Sequence, residues 1–313
     1  MIRFNGVSKH FGAVRALDVF SLEVREGLVY GLIGPNGAGK TTAMSILSTL
    51  LLPDAGTVTV DGLDVVREAG EVRGRIGYMP DFFGVYDGLR AAEYLEFFAA
   101  AYHIPPAERQ RLAKMLLELV NLPDKADVYV DSLSRGMKQR LALARCLVHD
   151  PRVLILDEPA SGLDPRARAE MKEIIRHLKH LSKTVLISSH ILPELAEICD
   201  EVAIMDAGRL AACGTVAEIT AVSRGARQMK VEVLDRAEEL AGFLASRSGI
   251  AEPLVDGPAV KFFLNGERAE QAALLQEIIY AGWPVAEFGE VRRNLEEAFM
   301  AVTGEGGENI EGN

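Results

Sequence analysis

The nine residues Gly34-Pro35-Asn36-Gly37-Ala38-Gly39-Lys40-Thr41-Thr42 fit the pattern G-x-x-x-x-G-K-[ST]. They follow directly on the apolar run Leu28-Val29-Tyr30-Gly31-Leu32-Ile33. The spacing predicts a strand, a phosphate-holding loop and then a helix over roughly 39–52. Glycines allow such a loop to turn its N–H groups inward as an anion nest. The helix start adds the positive end of its dipole to the same anion. Lys40 can then reach β- and γ-phosphates, and the Thr41 hydroxyl can serve Mg²⁺. A glycine-rich turn without function would have the same loop. It would not require Lys-Thr-Thr at the start of the helix, so the reading is a nucleoside triphosphate site.

Val153-Leu154-Ile155-Leu156 runs without a polar residue into Asp157-Glu158. This reads as a strand buried on both faces that delivers two carboxylates to a sheet edge. Asp157 suits Mg²⁺, and Glu158 suits polarisation of an attacking water. Ser188-Ser189-His190 ends the next apolar run, Thr184-Val185-Leu186-Ile187. A neutral imidazole at His190 could hold the γ-phosphate or the water. Ser134, in Leu133-Ser134-Arg135-Gly136-Met137-Lys138-Gln139-Arg140, is an N-cap for a helix expected to reach about 149. With Gly136 permitting close approach, that helix start is a second anion site. Two such sites in one domain make sense if they meet across a dimer.

These residues need a frame to hold them. Short strands are expected at Ile2-Arg3-Phe4, at Ala16–Val24 and at Gly56–Gly62. From 90 to 149 apolar residues recur at three- and four-residue spacing, with Pro105-Pro106 dividing two helices. A helix over 165–181, opening on Pro165, connects the two buried runs as a βαβ unit. The expected fold class is therefore α/β. The character changes near Ser223–Arg227. Beyond it a strand at 229–234, helices near 235–247 and 267–282, and a strand near 258–264 read as an α+β appendage over 225–303. Residues 304–313 carry too little apolar content to fold.

Composition narrows the class further. Of 313 residues, 49% are hydrophobic and 25% charged, as in ordinary globular proteins, and the length suits about two domains. A net charge of −11 argues against a broad nucleic-acid surface. The three cysteines, Cys146, Cys199 and Cys213, show no metal or disulfide spacing and read as small core residues in a reducing compartment. No apolar run approaches the ~18 residues of a membrane span. The N-terminus lacks the layout of a signal peptide, so a cytoplasmic chain is expected.

Taken in order over about 1–215, these elements resemble the nucleotide-binding subunit of an ABC transporter. Walker A is Gly34–Thr42, the signature begins at Leu133-Ser134, and Walker B is Val153–Asp157 with Glu158. Ser161-Gly162-Leu163-Asp164 matches the D-loop, His190 the switch histidine and Phe11 an adenine-stacking aromatic. The resemblance implies a P-loop NTPase cassette over 1–222. Its parts would be a mixed sheet core, an antiparallel β subdomain and a helical subdomain at about 88–149, with the small C-terminal α+β extension. It implies ATP and Mg²⁺ held between two head-to-tail protomers of a homo- or heterodimer. Ser134 and Gly136 of one protomer would face the phosphate held by Lys40 of the other, and Asp164 would link the sites. It also implies a separately encoded transmembrane permease, and a place on the inner face of the cell membrane. No nucleic-acid partner is expected.

Two departures stand out. The usual Leu-Ser-Gly-Gly-Gln signature carries Arg135 and Met137, a variant similar to the ABC-2 exporter branch. After Ile76-Gly77-Tyr78-Met79-Pro80 the family's glutamine is replaced by Asp81. Aspartate keeps an oxygen for Mg²⁺ but is shorter and lacks the amide donor, so altered metal affinity or coupling is expected. The next residues, Phe82-Phe83-Gly84-Val85-Tyr86, are apolar on a loop and suggest a docking surface; the resemblance implies that this groove receives a coupling helix from the permease. Asn294–Met300 is similar to the closing motif of ABC-2 extensions, in a stabilising or dimer-assisting role. Two other classes stay open: a soluble ABC-fold ATPase acting on nucleic acid or ribosomes, and a weakly catalytic nucleotide switch.

Overall fold

The alternation of apolar residues in Ile2–Phe11 and Val14–Val24 builds one long antiparallel hairpin, β1 and β2, joined at Gly12-Ala13. In the computed structural model, residues 1–82, 84, 88–189, 191–221, 226–266, 268–291, 295 and 299–300 are described. The chain continues through β3 (Val29–Ile33), α1 (Lys40–Leu47), β4 (Ala55–Val60), β5 (Leu63–Asp64), α2 (Ala69–Arg75) and β6 (Ile76–Met79). A helical stretch follows: α3 (Ala91–Ala101), α4 (Pro106–Leu119) and α5 (Arg135–Cys146). Then come β7 (Val153–Asp157), α6 (Pro165–His180), β8 (Thr184–Ser188), α7 (Leu192–Ile198), β9 (Glu201–Asp206), β10 (Arg209–Thr215) and α8 (Val216–Ala221).

Two compact units result, Met1–Ile219 and Thr220–Met300. In the first, an antiparallel sheet of order β2-β1-β4-β5 stands beside a six-stranded sheet of order β10-β9-β3-β8-β7-β6. From β9 to β6 that sheet is parallel, and β10 closes its edge antiparallel. β3, β7 and β8 are buried along their whole length, which is why they read as unbroken apolar runs.

Helix α1 lies in the middle of the core. Its Ala43, Met44, Ile46 and Leu47 are fully buried with Phe4, Phe20 and Leu22 of the hairpin, and with Val153, Ile155 and Leu186 of the parallel strands. Its apolar residues share one face, and that face is packed into the core. The helix is also shorter than the 39–52 expected from the sequence. Thr49 turns left-handed at φ 65°, and the chain leaves the helix before Leu50 and Leu52.

Arg140 of α5 ties the end of α4 to α6. Its guanidinium, 6% exposed, donates to the carbonyls of Val120 and Asn121 after α4 and pairs with Glu170 of α6. Desolvating a guanidinium is tolerated when hydrogen bonds and a counter-charge replace water. α5 ends at Cys146, earlier than the 149 that its periodicity predicts.

The second unit runs β11 (Ala226–Val233), α9 (Ala237–Ala245), β12 (Ile250–Asp256), β13 (Ala259–Asn265), α10 (Arg268–Tyr280) and β14 (Val285–Glu290). Its strand order is β12-β13-β11-β14, all antiparallel, the split βαβ arrangement of a ferredoxin-like fold. Met229, Val231, Val233, Val260, Phe262 and Leu264 face Leu240, Leu244, Leu274 and Ile278 of the two helices. Strands β12 and β14 are absent from the sequence reading. Cys213 corrects another expectation: it lies exposed on edge strand β10, whereas Cys146 is buried and Cys199 partly so. No described helix is long and apolar enough to cross a membrane.

Candidate nucleotide site

The loop between β3 and α1 takes its shape from what surrounds it. A Cβ on Gly34 would lie 2.5 Å from the Met205 carbonyl oxygen of β9, and one on Gly39 would lie 2.3 Å from the Ala16 oxygen of β2. Gly39 also holds φ 100° as the residue that opens α1. The Gly208 N–H, in the β9–β10 turn, donates to the Ala38 carbonyl at 3.1 Å. Two glycines are therefore required by backbone packed against them, and the loop is clamped by both sheets. Pro35, Asn36 and Gly37 form its exposed rim, Ala38 is buried, Thr41 is exposed and Thr42 half-buried.

Lys40 is 7% exposed, and its Nζ donates to the carbonyls of Gly34 at 2.7 Å and Pro35 at 3.1 Å. Burial pushes its pKa down, while the negative charges of Glu158 and Asp157 push it up. Topology puts the lysine and the two carboxylates at one end of the six-stranded sheet: Lys40 follows the loop after β3, Asp157 closes β7 with Glu158 next to it, and β8 runs parallel between those two strands.

Asp157 is 1% exposed. Its Oδ1 accepts a hydrogen bond from Ser188 Oγ at 2.6 Å, and its Oδ2, also buried, has no hydrogen-bond partner among the described residues. A buried carboxylate oxygen with an unused lone pair fits a hard cation. The described residues form no cluster of three or more His, Cys, Asp or Glu. Mg²⁺ does not need one, since it is held by one or two protein oxygens and substrate phosphates. The donors Asp157 and Thr41 therefore suit it.

Glu158 sits half-buried with φ 50°, a left-handed backbone that side chains other than glycine seldom adopt. Its N–H donates to Ser188 Oγ at 3.0 Å. The hydroxyl of Tyr78 in β6 is pushed up to about 12 by burial first and then by the charge of Asp157, with a smaller contribution from Asp81. Asp81 is exposed one residue past Pro80. It therefore lies within electrostatic reach of the same tyrosine as Asp157. Tyr78 was not singled out by the sequence, nor was the Ser188 hydroxyl. A serine closing a strand buried on both faces is the signal that could have found the latter, because a buried hydroxyl must find partners. His190 lies outside the described residues.

At the start of α5, Ser134 caps the helix, its Oγ accepting from the Met137 N–H at 3.4 Å. Ser134 and Arg135 are exposed, whereas Gly136 is buried. A Cβ on Gly136 would lie 2.9 Å from the Ala167 Cβ of α6 and 3.5 Å from Leu163. Within the chain, the close approach that this glycine permits is helix packing against α6. The unusual Arg135 has a place as well. Its guanidinium lies over the Cα of Gly162, where any Cβ would be 2.5 Å from it. Gln139 donates to the Ser161 carbonyl at 3.0 Å. Asp164 Oδ1 accepts from the N–H groups of Arg166 and Ala167 as the N-cap of α6. The signature helix and the loop 161–164 thus form one packed element.

Phe11 ends β1 with half of its surface exposed, and the Lys9 ammonium lies 5.7 Å from its ring centroid. It is not a core aromatic. Phe82 is 92% exposed, while Phe83, Val85 and Tyr86 lie outside the described residues. If Phe11 stacks on a nucleobase, Phe11→Ala weakens ATP binding by ~1–3 kcal/mol. Fluorescent-nucleotide titration would show this as a rise in Kd of about 5- to 150-fold, and an unchanged Kd would remove Phe11 from the site.

Residues 17–161 match the family model described as ABC transporter. Daunorubicin resistance ATP-binding protein DrrA3 of Streptomyces coeruleorubidus is 36% identical over 308 residues, 97% of this chain and 96% of its own length. Nod factor export ATP-binding protein I of Ralstonia nicotianae (strain ATCC BAA-1114 / GMI1000) is 32% identical over 305 residues, covering 97% of this chain and 94% of that protein. Among solved structures, the ATP-binding subunit of an ABC transporter superposes with a TM-score of 0.64 at 30% identity, over 70% of this chain and 91% of that one. The cassette MJ0796, solved as a dimer in a post-hydrolysis state bound to ADP and Pi, gives 0.63 at 25% identity over 69% and 98%.

Proposed function

The chain belongs to the ATP-binding subunits of ABC transporters, in the ABC-2 exporter branch, and from that premise we propose which of its residues turn ATP hydrolysis into export. The observation that carries the assignment is that the parallel strands β3 and β7, either side of β8, bring the loop of Lys40 and the pair Asp157-Glu158 to one sheet end, with Asp157 Oδ2 buried and unpartnered among the described residues. Loop amides of 34–39 and Lys40 hold the β- and γ-phosphates, and Phe11 stacks on adenine. Asp157 and Thr41 hold Mg²⁺, with Asp81 beside them. When bound, the metal neutralises charge on the phosphate oxygens. Glu158 orients the attacking water and accepts its proton, with His190 as the second polar group at the γ-phosphate.

The exposed Ser134 at the start of α5 supports a composite site. In our reading a second protomer presents its own Ser134 and helix start to the γ-phosphate, so ATP closes a head-to-tail dimer. A structural relative solved as a dimer with ADP and Pi supports pairing of two protomers. The names of the relatives, which concern daunorubicin resistance and Nod factor export, support a separate permease that selects the cargo. This chain would sit peripherally on the cytoplasmic face of the membrane that the permease spans.

An aromatic ring as exposed as Phe82 is the natural anchor for that permease. Phe82→Ser should lower co-purification with the permease at least tenfold while ATP binding stays at wild-type affinity. Full co-purification of the variant would place the docking surface elsewhere.

A further inference from the structure

We propose that Ser188 is a positioning residue for ATP hydrolysis, its hydroxyl fixing the two carboxylates at the end of β7 relative to each other. This rests on the reading of Asp157 and Glu158 as the metal-holding and water-orienting pair. Ser188 is the last residue of β8 and is fully buried. In the parallel register it stands directly opposite Asp157. Its Oγ has one proton and uses it on Asp157 Oδ1, at 2.6 Å. The same oxygen accepts the Glu158 N–H at 3.0 Å. One hydroxyl therefore serves the side chain of one carboxylate residue and the backbone of the next.

Both contacts restrain groups on whose placement the chemistry depends. Asp157 has one carboxylate oxygen committed to Ser188 and the other without a partner among the described residues. The bond to Oδ1 selects the rotation of the carboxylate and leaves Oδ2 as the available donor. Glu158 departs from the strand in a left-handed conformation. Such a backbone persists only where its surroundings over-determine it. A hydrogen bond on its own N–H is a direct restraint of that kind. Because the direction of Cα–Cβ follows from the backbone, the restraint carries through to the Glu158 side chain. Small errors in the placement of reacting groups cost large factors in rate.

The test compares Ser188→Ala and Ser188→Thr with wild type, with Glu158→Gln run in parallel. Ser188→Ala should lower kcat ~10- to 100-fold and raise the Mg²⁺ concentration for half-maximal rate several-fold. Fluorescent-ATP affinity measured in EDTA, which reads Lys40 and the loop alone, should stay within twofold of wild type. The increase in that affinity on adding Mg²⁺ should shrink. Ser188→Thr keeps the hydroxyl and should recover at least half of the lost kcat; Ser188→Cys, less bulky than Thr but a poor donor, should not. If Ser188→Ala turns over like wild type while Glu158→Gln is inactive, the proposal is wrong and the assignment of Glu158 stands. If Glu158→Gln is itself active, the underlying reading fails. A loss of kcat matched by an equal loss of metal-free ATP binding and a lowered Tm would make Ser188 structural only, and would also overturn the proposal.

Discussion

Glu158→Gln stops ATP turnover and leaves ATP binding in place. The amide fits the same left-handed backbone at φ 50° and can keep the N–H bond to Ser188. What it cannot do is take a proton from water. Removing a positioned general base costs typically 10²–10⁴-fold, so phosphate release should fall by at least two orders of magnitude. Binding of fluorescent ATP should change by less than about threefold. With hydrolysis blocked, ATP should also hold the protomers together, and size exclusion with ATP should shift towards the dimer. Turnover at the wild-type rate would mean that another group activates water, and would revive the reading of the chain as a nucleotide switch.

Lys40→Ala acts on the opposite quantity. The ammonium is buried, donates to two carbonyls of its own loop and lies within the field of Asp157 and Glu158. Truncating one member of a buried, hydrogen-bonded charge pair costs about 2–5 kcal/mol, so ATP affinity should fall by tens- to thousands-fold. Isothermal titration reads this directly, and an affinity within threefold of wild type would remove Lys40 from the phosphate site. Burial gives the group a pH signature as well. Its pKa lies below that of an ordinary lysine, so the proton needed for phosphate binding is lost earlier as pH rises, and ATP affinity weakens there. Folding stability moves the other way. A base depressed in the folded state penalises that state in full below the lowered pKa, and the penalty is relieved as pH climbs from there to the ordinary lysine value.

How much of this was visible in the sequence depends on what held each residue. The strand–loop–helix around Lys40 was legible because a buried parallel strand cannot alternate and a phosphate loop cannot do without glycine. Those glycines nonetheless have a second reason that no local pattern contains. The carbonyls that exclude a Cβ at Gly34 and Gly39 belong to Met205 and Ala16, far away along the chain. Gly136 looked like a residue for approaching an anion, and within this chain it is occupied by Ala167. Arg135 looked like a departure from a family pattern and is explained by the bare Cα of Gly162 beneath its guanidinium. Strands β12 and β14 escaped because they are edges. Ala251, Glu252, Leu254, Val255, Asp256, Ala286, Glu287 and Glu290 are all exposed, and Pro253 interrupts the first, so neither shows a buried alternation. Helix α1 was overestimated in length because apolar residues continue past Leu47 into the exposed Leu50 and Leu52.

The burial of α1 between the two sheets reaches beyond catalysis. A ligand that binds only the folded state stabilises it, by about 2.7 kcal/mol at a hundredfold excess over Kd. Here the loop that receives the ligand opens the helix at the centre of the core, and both sheets clamp it. ATP would therefore hold the first unit together as a whole, not just tighten one loop. A cell short of ATP would leave this protein idle and also more open to proteolysis, so the supply of fuel would help set how many copies survive.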